Sequence, residues 1–347
     1  MKKELLMGTA LVSTLGAASV AEAVTATMSG NHQTGFEFDS ISGGTDTNAQ
    51  INDNNFTVSL SETTDGGMTI SSSFKLMDED AAPGDRDAGF TLAFTDGSKL
   101  DVFNAGNASG SHAISVPGSA GAEGVATTST NAASTGLDVG ATATVLGVEY
   151  HTASDFVADG LKMSFSASTD NGAAATGTYR VDSHYAIGAT YVTDLGDSAV
   201  TIGAGISESQ GSKTSTAATN DNGNFHVGIS AVTGDLTVAV GIADASAAGI
   251  HLTSAAEAEY EVTKAGVKYV SGDLTFNVGI ASGDAKDNTV GSSGGSDDSI
   301  DTTSASISYA VASGVTAILG YTSVEASDEG ASTDDGSAWY IGANMAF

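Results

Sequence analysis

This sequence is notable first for what it lacks. Its 347 residues include no cysteine, two prolines and only 11 lysines and arginines, against 42 acidic residues. Without cysteine, neither disulfide bonds nor thiolate metal sites can form. The formal net charge of −31 excludes nucleic acid as a partner, because such a surface repels phosphate. Charged residues are 15% of the chain, against about 25% in soluble domains.

The N-terminus has the pattern of an export signal. Lys2 and Lys3 precede an uncharged, mostly apolar run over residues 5–21, and Ala21-Glu22-Ala23 follows as an A-x-A cleavage site. We expect residues 1–23 to be a signal peptide and residues 24–347 to be a single domain. The alternative is a membrane-anchoring helix, but small and polar residues dilute the run, which is close to the lower limit of about 18 residues.

One strand–turn unit recurs along the rest of the chain. GDLTVAVGI at residues 234–242 and GDLTFNVGI at residues 272–280 both begin at a tight turn and then alternate apolar and polar residues. This period of two predicts β-hairpins. We count about sixteen strands, joined alternately by short turns and long polar loops. An acidic, glycine-rich chain could be disordered, but the regular placement of its 40% apolar residues argues against disorder.

The two faces of these strands indicate their surroundings. One face is apolar and uncharged, and the other carries threonine, serine, glycine and asparagine in place of the lysines and glutamates of a solvated sheet. A soluble β-sandwich would also alternate. However, a closed meander of about sixteen strands is too wide for side chains to fill, so its interior must be wet. The sequence therefore predicts an all-β, up-and-down antiparallel barrel that crosses a membrane.

The C-terminal strand carries a resemblance to a known family. In YIGANMAF, residues 340–347, a glycine is followed by alternating apolar residues and a final phenylalanine. This segment resembles the signal read by the β-barrel assembly machinery, with Gly342, Met345 and Phe347 in its key positions. Residues 56–75 resemble the second hairpin of alphaproteobacterial porins. The mature chain as a whole resembles the general trimeric porins of Gram-negative bacteria.

The resemblance implies a constriction and a setting. In such porins the third long loop folds into the barrel, which here predicts a constriction loop at residues 105–143 that carries Glu123 and Asp138; a loop that points outward is the alternative. The resemblance also implies a homotrimer in the outer membrane, in contact with lipid and lipopolysaccharide. Strand parity places four further side chains on the inner wall of the pore: Lys75, Lys99, Asp101 and Lys162. The sequence lacks the family's basic cluster, since its only arginines are Arg86 and Arg180.

Other chemistry has little support in the sequence. The six histidines show no metal-ligand spacing, and no motif indicates an enzyme. We therefore expect no cofactor, although acidic stretches at residues 77–87 and 327–336 could hold Ca²⁺. The predicted function is a passive diffusion pore for small hydrophilic solutes and ions. Its acidic loops predict a mild cation preference. The alternative is a secreted or surface-layer acidic β protein stabilised by Ca²⁺, without a pore.

Overall fold

The computed structural model describes residues 24–42, 44–78, 89–103, 107–118, 135–137, 147–169, 179–213, 219–247, 258–286, 298–327 and 334–347. The predicted signal peptide lies outside these residues. The described chain forms sixteen strands and one short 3₁₀ helix, Gly110–His112. The strands are β1 Thr25–Ile41, β2 Thr47–Thr63, β3 Thr69–Asp78, β4 Phe90–Ala93, β5 Lys99–Val102, β6 Gly147–His151, β7 Leu161–Thr169, β8 Tyr179–Leu195, β9 Ser198–Lys213, β10 Thr219–Thr233, β11 Leu236–Ala247, β12 Ala258–Ser271, β13 Leu274–Lys286, β14 Asp298–Ala312, β15 Val315–Ser327 and β16 Asp334–Ala346.

The strands form one closed antiparallel barrel. Each strand pairs with its neighbours in sequence, and β16 pairs with β1. This confirms the predicted up-and-down barrel. None of the described residues forms a helix that is long and apolar enough to span a membrane.

The chain termini meet at the seam between β1 and β16. The N–H of Gly30 donates to the carbonyl of Phe347 at 3.1 Å, and the N–H of Phe347 donates to the carbonyl of Gly30 at 3.0 Å. The Phe347 ring lies over Gly30, with its centroid 6.0 Å from that of Phe56. Pairing of β1 with β16 spans residues 31–41. Residues 25–29 pair only with β2, since strands in a barrel are staggered by its shear.

The short turns lie together at one end of the barrel. Glycines with positive φ occupy these turns, among them Gly67, Gly97, Gly196, Gly234 and Gly314. Such backbone geometry favours glycine because it lacks a Cβ atom. The long connections lie at the opposite end. This alternation is the one that the sequence predicts.

The outer face of the barrel is an apolar band with an acidic rim. Val238, Val240 and Ile242 of β11 are all exposed, as an outward apolar face in lipid requires. Six aromatic residues near strand ends are also exposed on this face: Phe94, Tyr150, Tyr191, Tyr269, Tyr309 and Phe347. Toward the long loops, Asp244, Glu261 and Asp284 follow one another across β11, β12 and β13. The apolar band lies on the side of this row that faces the short turns.

The longest connection enters the barrel. Its flanking strands end at Val102 and begin at Gly147, so it is slightly longer than the predicted residues 105–143. The described parts, residues 107–118 and 135–137, lie against the inner wall. The N–H of Ala108 donates to Ser166 Oγ at 3.0 Å. Leu137 belongs to a small apolar cluster in the lumen with Tyr260 and Val262. This confirms the inward-folding loop.

Candidate functional site

The loop follows a path across the inner wall from β7 to β14. Ala108 lies against Ser166 of β7 and Gly188 of β8, whereas Gly118 approaches Ser304 of β14. Between these points the loop crosses the strands from β9 to β13. The described segment therefore spans about half of the barrel's circumference.

Inward-facing glycines lie beneath this segment. A Cβ atom at Gly188 would meet the carbonyl oxygen of Ala108, and one at Gly203 would meet that of His112. A Cβ atom at Gly266 or at Gly279 would meet the carbonyl oxygen of Pro117. We call the glycines under the loop the glycine track, and its members are Gly188, Gly203, Gly205, Gly228, Gly266 and Gly279. The loop backbone lies directly on the sheet because the track has no side chains.

A chain of hydrogen bonds joins the loop to the wall through His112. His112 Nδ1 lies 2.6 Å from Thr190 Oγ1, and its Nε2 lies 2.8 Å from Ser164 Oγ. Ser164 Oγ is also 2.8 Å from Nδ1 of His151. His151 Nε2 in turn lies 2.8 Å from Asp101 Oδ2. The loop histidine is thus connected to a carboxylate on β5 through two other strands.

The direction of each proton in this chain follows from the carboxylate. Asp101 can only accept, so His151 carries its proton on Nε2 and accepts from Ser164 on Nδ1. Ser164 then accepts from Nε2 of His112, and Thr190 donates to Nδ1 of His112. Thr91 donates to the other oxygen of Asp101. One set of neutral tautomers therefore satisfies every ring nitrogen in the chain.

The environment of His112 keeps its ring neutral. Burial, followed by the nearby charges of His151, His226 and Lys162, lowers the pKa of His112 from 6.5 to about 4. A second histidine supports the same turn of the loop, since Nε2 of His226 donates to the carbonyl of Ser109 at 2.8 Å. The docked loop therefore favours neutral imidazole.

Carboxylate, imidazole and hydroxyl occur here in the order of a nucleophilic serine site. Ser164, however, is only 1% exposed, and its Oγ already bonds both His151 and His112. This leaves no approach for a substrate carbonyl carbon. The arrangement holds the loop in place, and it does not present a nucleophile.

A cavity of 670 Å³ lies between the loop and β5–β8, toward the short turns. Ser111 and His112 of the loop form one side of it. Gly97 and Gly160 lie at the end of the cavity near the short turns. The residues of the wall that line the cavity are Gly97, Lys99, His151, Thr152, Ser154, Gly160, Lys162, Met163, Ser164, Thr190 and Val192. The cavity is therefore open space within the lumen beside the loop.

Four of the six predicted pore-lining residues are described. Pairing places Lys75, Lys99, Asp101 and Lys162 on the inner face, where Lys99 and Lys162 line the cavity and Asp101 is buried behind it. Lys75 lies on β3, apart from this group. Glu123 and Asp138 lie outside the described residues, so their positions remain predictions. The role of these six residues in a constriction is taken up below as a proposal.

The predicted assembly residues lie along the seam strand. Met345 and Phe347 face outward, whereas Gly342 faces inward under another aromatic side chain. The Tyr340 ring covers both Gly342 and Gly35, and its hydroxyl donates to the carbonyl of Thr34 at 3.3 Å. Packing therefore requires glycine at position 342, because a Cβ atom there would meet the Tyr340 hydroxyl.

Sequence reasoning missed His112, His151 and the glycine track. In the sequence the histidines show no metal-ligand spacing, yet His112 and His151 form the link between loop and wall. Their separation in sequence explains the miss, since His112 bonds a serine 52 residues away. Glycines at inward positions of consecutive strands were a usable signal, for example Gly203, Gly228 and Gly241.

Metal binding has no support within the described ranges, where no three histidine, aspartate or glutamate side chains form a group that could hold an ion. The acidic stretches proposed for Ca²⁺ lie largely outside those ranges. Ca²⁺ binding there remains a prediction.

Comparison with known proteins agrees with the fold. A family model described as Gram-negative porin matches residues 8–329. No curated protein matches the sequence. An anion-selective porin from Comamonas acidovorans is similar in structure, with a TM-score of 0.64 and 10% identity over 93% of this chain and 100% of that chain.

Two other solved structures show the same fold. The outer membrane channel DcaP of Acinetobacter baumannii has a TM-score of 0.64 and 11% identity, over 93% of this chain and 97% of that chain. The trimer form of OmpT, an outer membrane protein of Vibrio cholerae, has a TM-score of 0.60 and 14% identity, over 94% and 100%. The chain belongs to the Gram-negative porin family, and its closed sixteen-stranded barrel is that of an outer-membrane channel.

Proposed function

We propose that this channel is a passive diffusion pore for small hydrophilic solutes and ions, narrowed by the loop at residues 105–143. The observation that supports it best is the loop segment 107–118, which lies across the inner wall of a closed barrel. Lys75, Lys99, Asp101 and Lys162 then line the pore, and Glu123 and Asp138 belong to the constriction loop. No step of diffusion requires a cofactor or a reacting group.

We also propose a mild preference for cations that weakens as salt rises. The acidic residues of the long loops concentrate cations at the mouth, and their effect is screened over about 8 Å at physiological salt. Glu37, Asp39 and Asp53 on the inner face of β1 and β2 add negative charge. Inward lysines oppose it. The similar porin described as anion-selective shares only 10% identity, so its selectivity does not transfer.

Planar bilayers test both proposals in one experiment. Purified barrel should produce discrete conductance steps in KCl, and the reversal potential across a KCl gradient should indicate cation preference at low but not at high ionic strength. Folded barrel without conductance steps would refute the pore. An anion-selective reversal potential at low salt would refute the cation preference and leave the pore intact.

A polar patch on the outer face supports a homotrimer. His32 and Thr34 of β1 face outward, where Nδ1 of His32 donates to Asn54 at 2.5 Å and Thr34 donates to Asn52 at 2.9 Å. The outward neighbours of His32 and Thr34 on β16, Met345 and Ala343, are apolar. We call this group the polar outer patch, and its members are His32, Thr34, Asn48, Gln50, Asn52 and Asn54. Polar groups facing lipid are costly, which favours a protein partner over this patch.

Substitution in the patch tests this assembly. Gln50→Trp would add bulk to the patch, and we expect monomers in place of trimers by native mass spectrometry. Val240→Trp is the matched control, because it adds an aromatic ring to the apolar outer face of β11. Trimers that persist in Gln50→Trp would place the contact elsewhere.

We further propose that Gly342, Met345 and Phe347 form the signal for the β-barrel assembly machinery. Phe347 supports this through the seam, where its backbone and ring fix the end of β16 against β1. We also propose that the apolar band contacts outer-membrane lipid and the acyl chains of lipopolysaccharide.

A further inference from the structure

The cavity beside the loop differs in charge from the chain around it. The protein carries a net charge of −31, yet none of the described residues that line this cavity is acidic. Four lining side chains carry nitrogen, namely Lys99, Lys162, His112 and His151. The cavity therefore presents two lysine amines and no carboxylate of its own, inside a strongly acidic chain.

The nearest carboxylates are already engaged. Asp101 is buried and accepts hydrogen bonds from Thr91 and His151. Glu149 is buried as well and accepts from Ser111 of the loop at 3.0 Å. Neither residue lines the cavity. Glu149 contacts the loop, whereas Asp101 contacts both the histidine chain and Lys99.

Both lysines remain available to a solute. The side chain of Lys99 is 46% exposed, and its Nζ lies 3.4 Å from Asp101 at the edge of the cavity. Lys162 is exposed and makes no salt bridge with any residue in the described ranges. The two lysines stand on β5 and β7, with only β6 between them, so their strands are about 10 Å apart. Both flexible side chains reach toward the same space.

Hydroxyl groups surround that space on several sides. Thr152 and Ser154 follow β6 at the turn end, and Ser111 stands on the loop side. Two amines and several hydroxyls that converge from different elements suit a tetrahedral oxyanion, which accepts hydrogen bonds in several directions. A carboxylate has only two oxygens in one plane and would use fewer of these donors.

We propose that this cavity is a binding subsite for phosphate, either free or as the phosphate group of a small solute, held by Lys99 and Lys162. The inference rests on the proposed diffusion pore, since the subsite lies within its lumen. Exposed lysines bind phosphate as mobile point charges, so the subsite retains the anion briefly without stopping its passage. The acidic residues at the mouth then concentrate cations, and Lys99 and Lys162 in the cavity retain phosphate.

Inorganic phosphate is the probe for this subsite. Single-channel current is measured at fixed KCl and pH while phosphate is titrated, with acetate at matched ionic strength in a parallel series. Phosphate should reduce the KCl current with saturation, and acetate should not. Equal effects of acetate and phosphate would overturn phosphate recognition, and so would the absence of any saturable effect of phosphate.

Substitutions then test whether Lys99 and Lys162 bind the phosphate. In the double variant Lys99→Gln/Lys162→Gln, the phosphate concentration for half-maximal effect should rise at least tenfold. The control is Lys268→Gln, an inward lysine on β12 outside the cavity, which should shift it less than twofold. Equal shifts in both would overturn the assignment. A barrel that conducts KCl but ignores phosphate refutes only the subsite, whereas a folded barrel without conductance refutes the pore itself.

Discussion

The two sides of the barrel wall differ in the size of their inward side chains. From β7 to β14 the wall under the loop presents the glycine track and small hydroxyls such as Ser164 and Ser166. From β16 to β3 the inward positions carry large or charged side chains, including Tyr340, Glu37 and Lys75. Where the loop backbone lies, the wall is bare glycine, whereas the opposite wall is filled by its own side chains.

This difference shows how the loop position is specified. Tyr340 is fully buried because its ring covers Gly35 and Gly342, so on that side a wall side chain occupies the space over the glycines. Over the glycine track, the loop backbone occupies that space instead. The glycines determine only where a segment of the chain can lie against the sheet. The hydrogen bonds of His112 and the packing of Ile114 against Gly228 determine that this segment is the loop.

Removing the loop should have the largest effect. Replacing residues 105–143 with a short glycine–serine turn removes everything that covers the glycine track but leaves the strand ladder intact. We expect single-channel conductance to rise severalfold. Circular dichroism and heat-dependent gel mobility serve as controls for the barrel. Unchanged conductance in a folded barrel would mean that the loop does not narrow the pore.

Adding methyl groups to the track should detach the loop without removing it. Gly188→Ala and Gly266→Ala each place a Cβ atom against a loop carbonyl oxygen. Such overpacking costs about 1–3 kcal/mol, so the detached fraction should rise roughly tenfold or more. Because the chain lacks cysteine, a single Ile114→Cys reporter can measure this. Ile114 is buried and Ser115 is exposed, so the labelling rate is read relative to Ser115→Cys.

The matched control for the track is Ala204→Val. It adds methyl groups on β9, beside Gly203 in sequence but on the face turned to lipid. Relative labelling of Ile114→Cys should stay unchanged in this variant. Equal increases in the control and the track variants would indicate general loosening of the barrel, and would argue against the track.

The sequence predicts the barrel because alternation, turns and strand count all depend on neighbouring residues. Parity likewise predicts that Lys99 and Lys162 face inward, and both line the cavity beside the loop. The loop path depends on different information. His226 bonds the loop at Ser109 across 117 residues, and the inward glycines indicate only that something can lie against them, not which segment does. The residues that hold the loop are therefore evident only in the folded chain.

The last predicted effect is a pH dependence of loop docking through His112. Its pKa falls to about 4 in the docked loop, whereas a detached loop exposes an ordinary histidine with a pKa near 6.5. Above pH 6.5 both forms are neutral and docking is strongest. As the pH falls from 6.5 toward 4, the detached form gains a proton that the docked form resists, so docking weakens. Between pH 7.5 and 4.5 the docking equilibrium should fall by roughly one to two orders of magnitude.

His112→Gln separates this effect from other titrating groups. Glutamine keeps one donor and one acceptor for Ser164 and Thr190 but cannot titrate in this range. Relative labelling of Ile114→Cys should therefore rise as the pH falls in the parent chain and stay nearly level in His112→Gln. His32→Gln is the control, since His32 lies on the outer face and should leave the pH dependence in place. Full pH dependence in His112→Gln would show that His112 is not the group that controls docking.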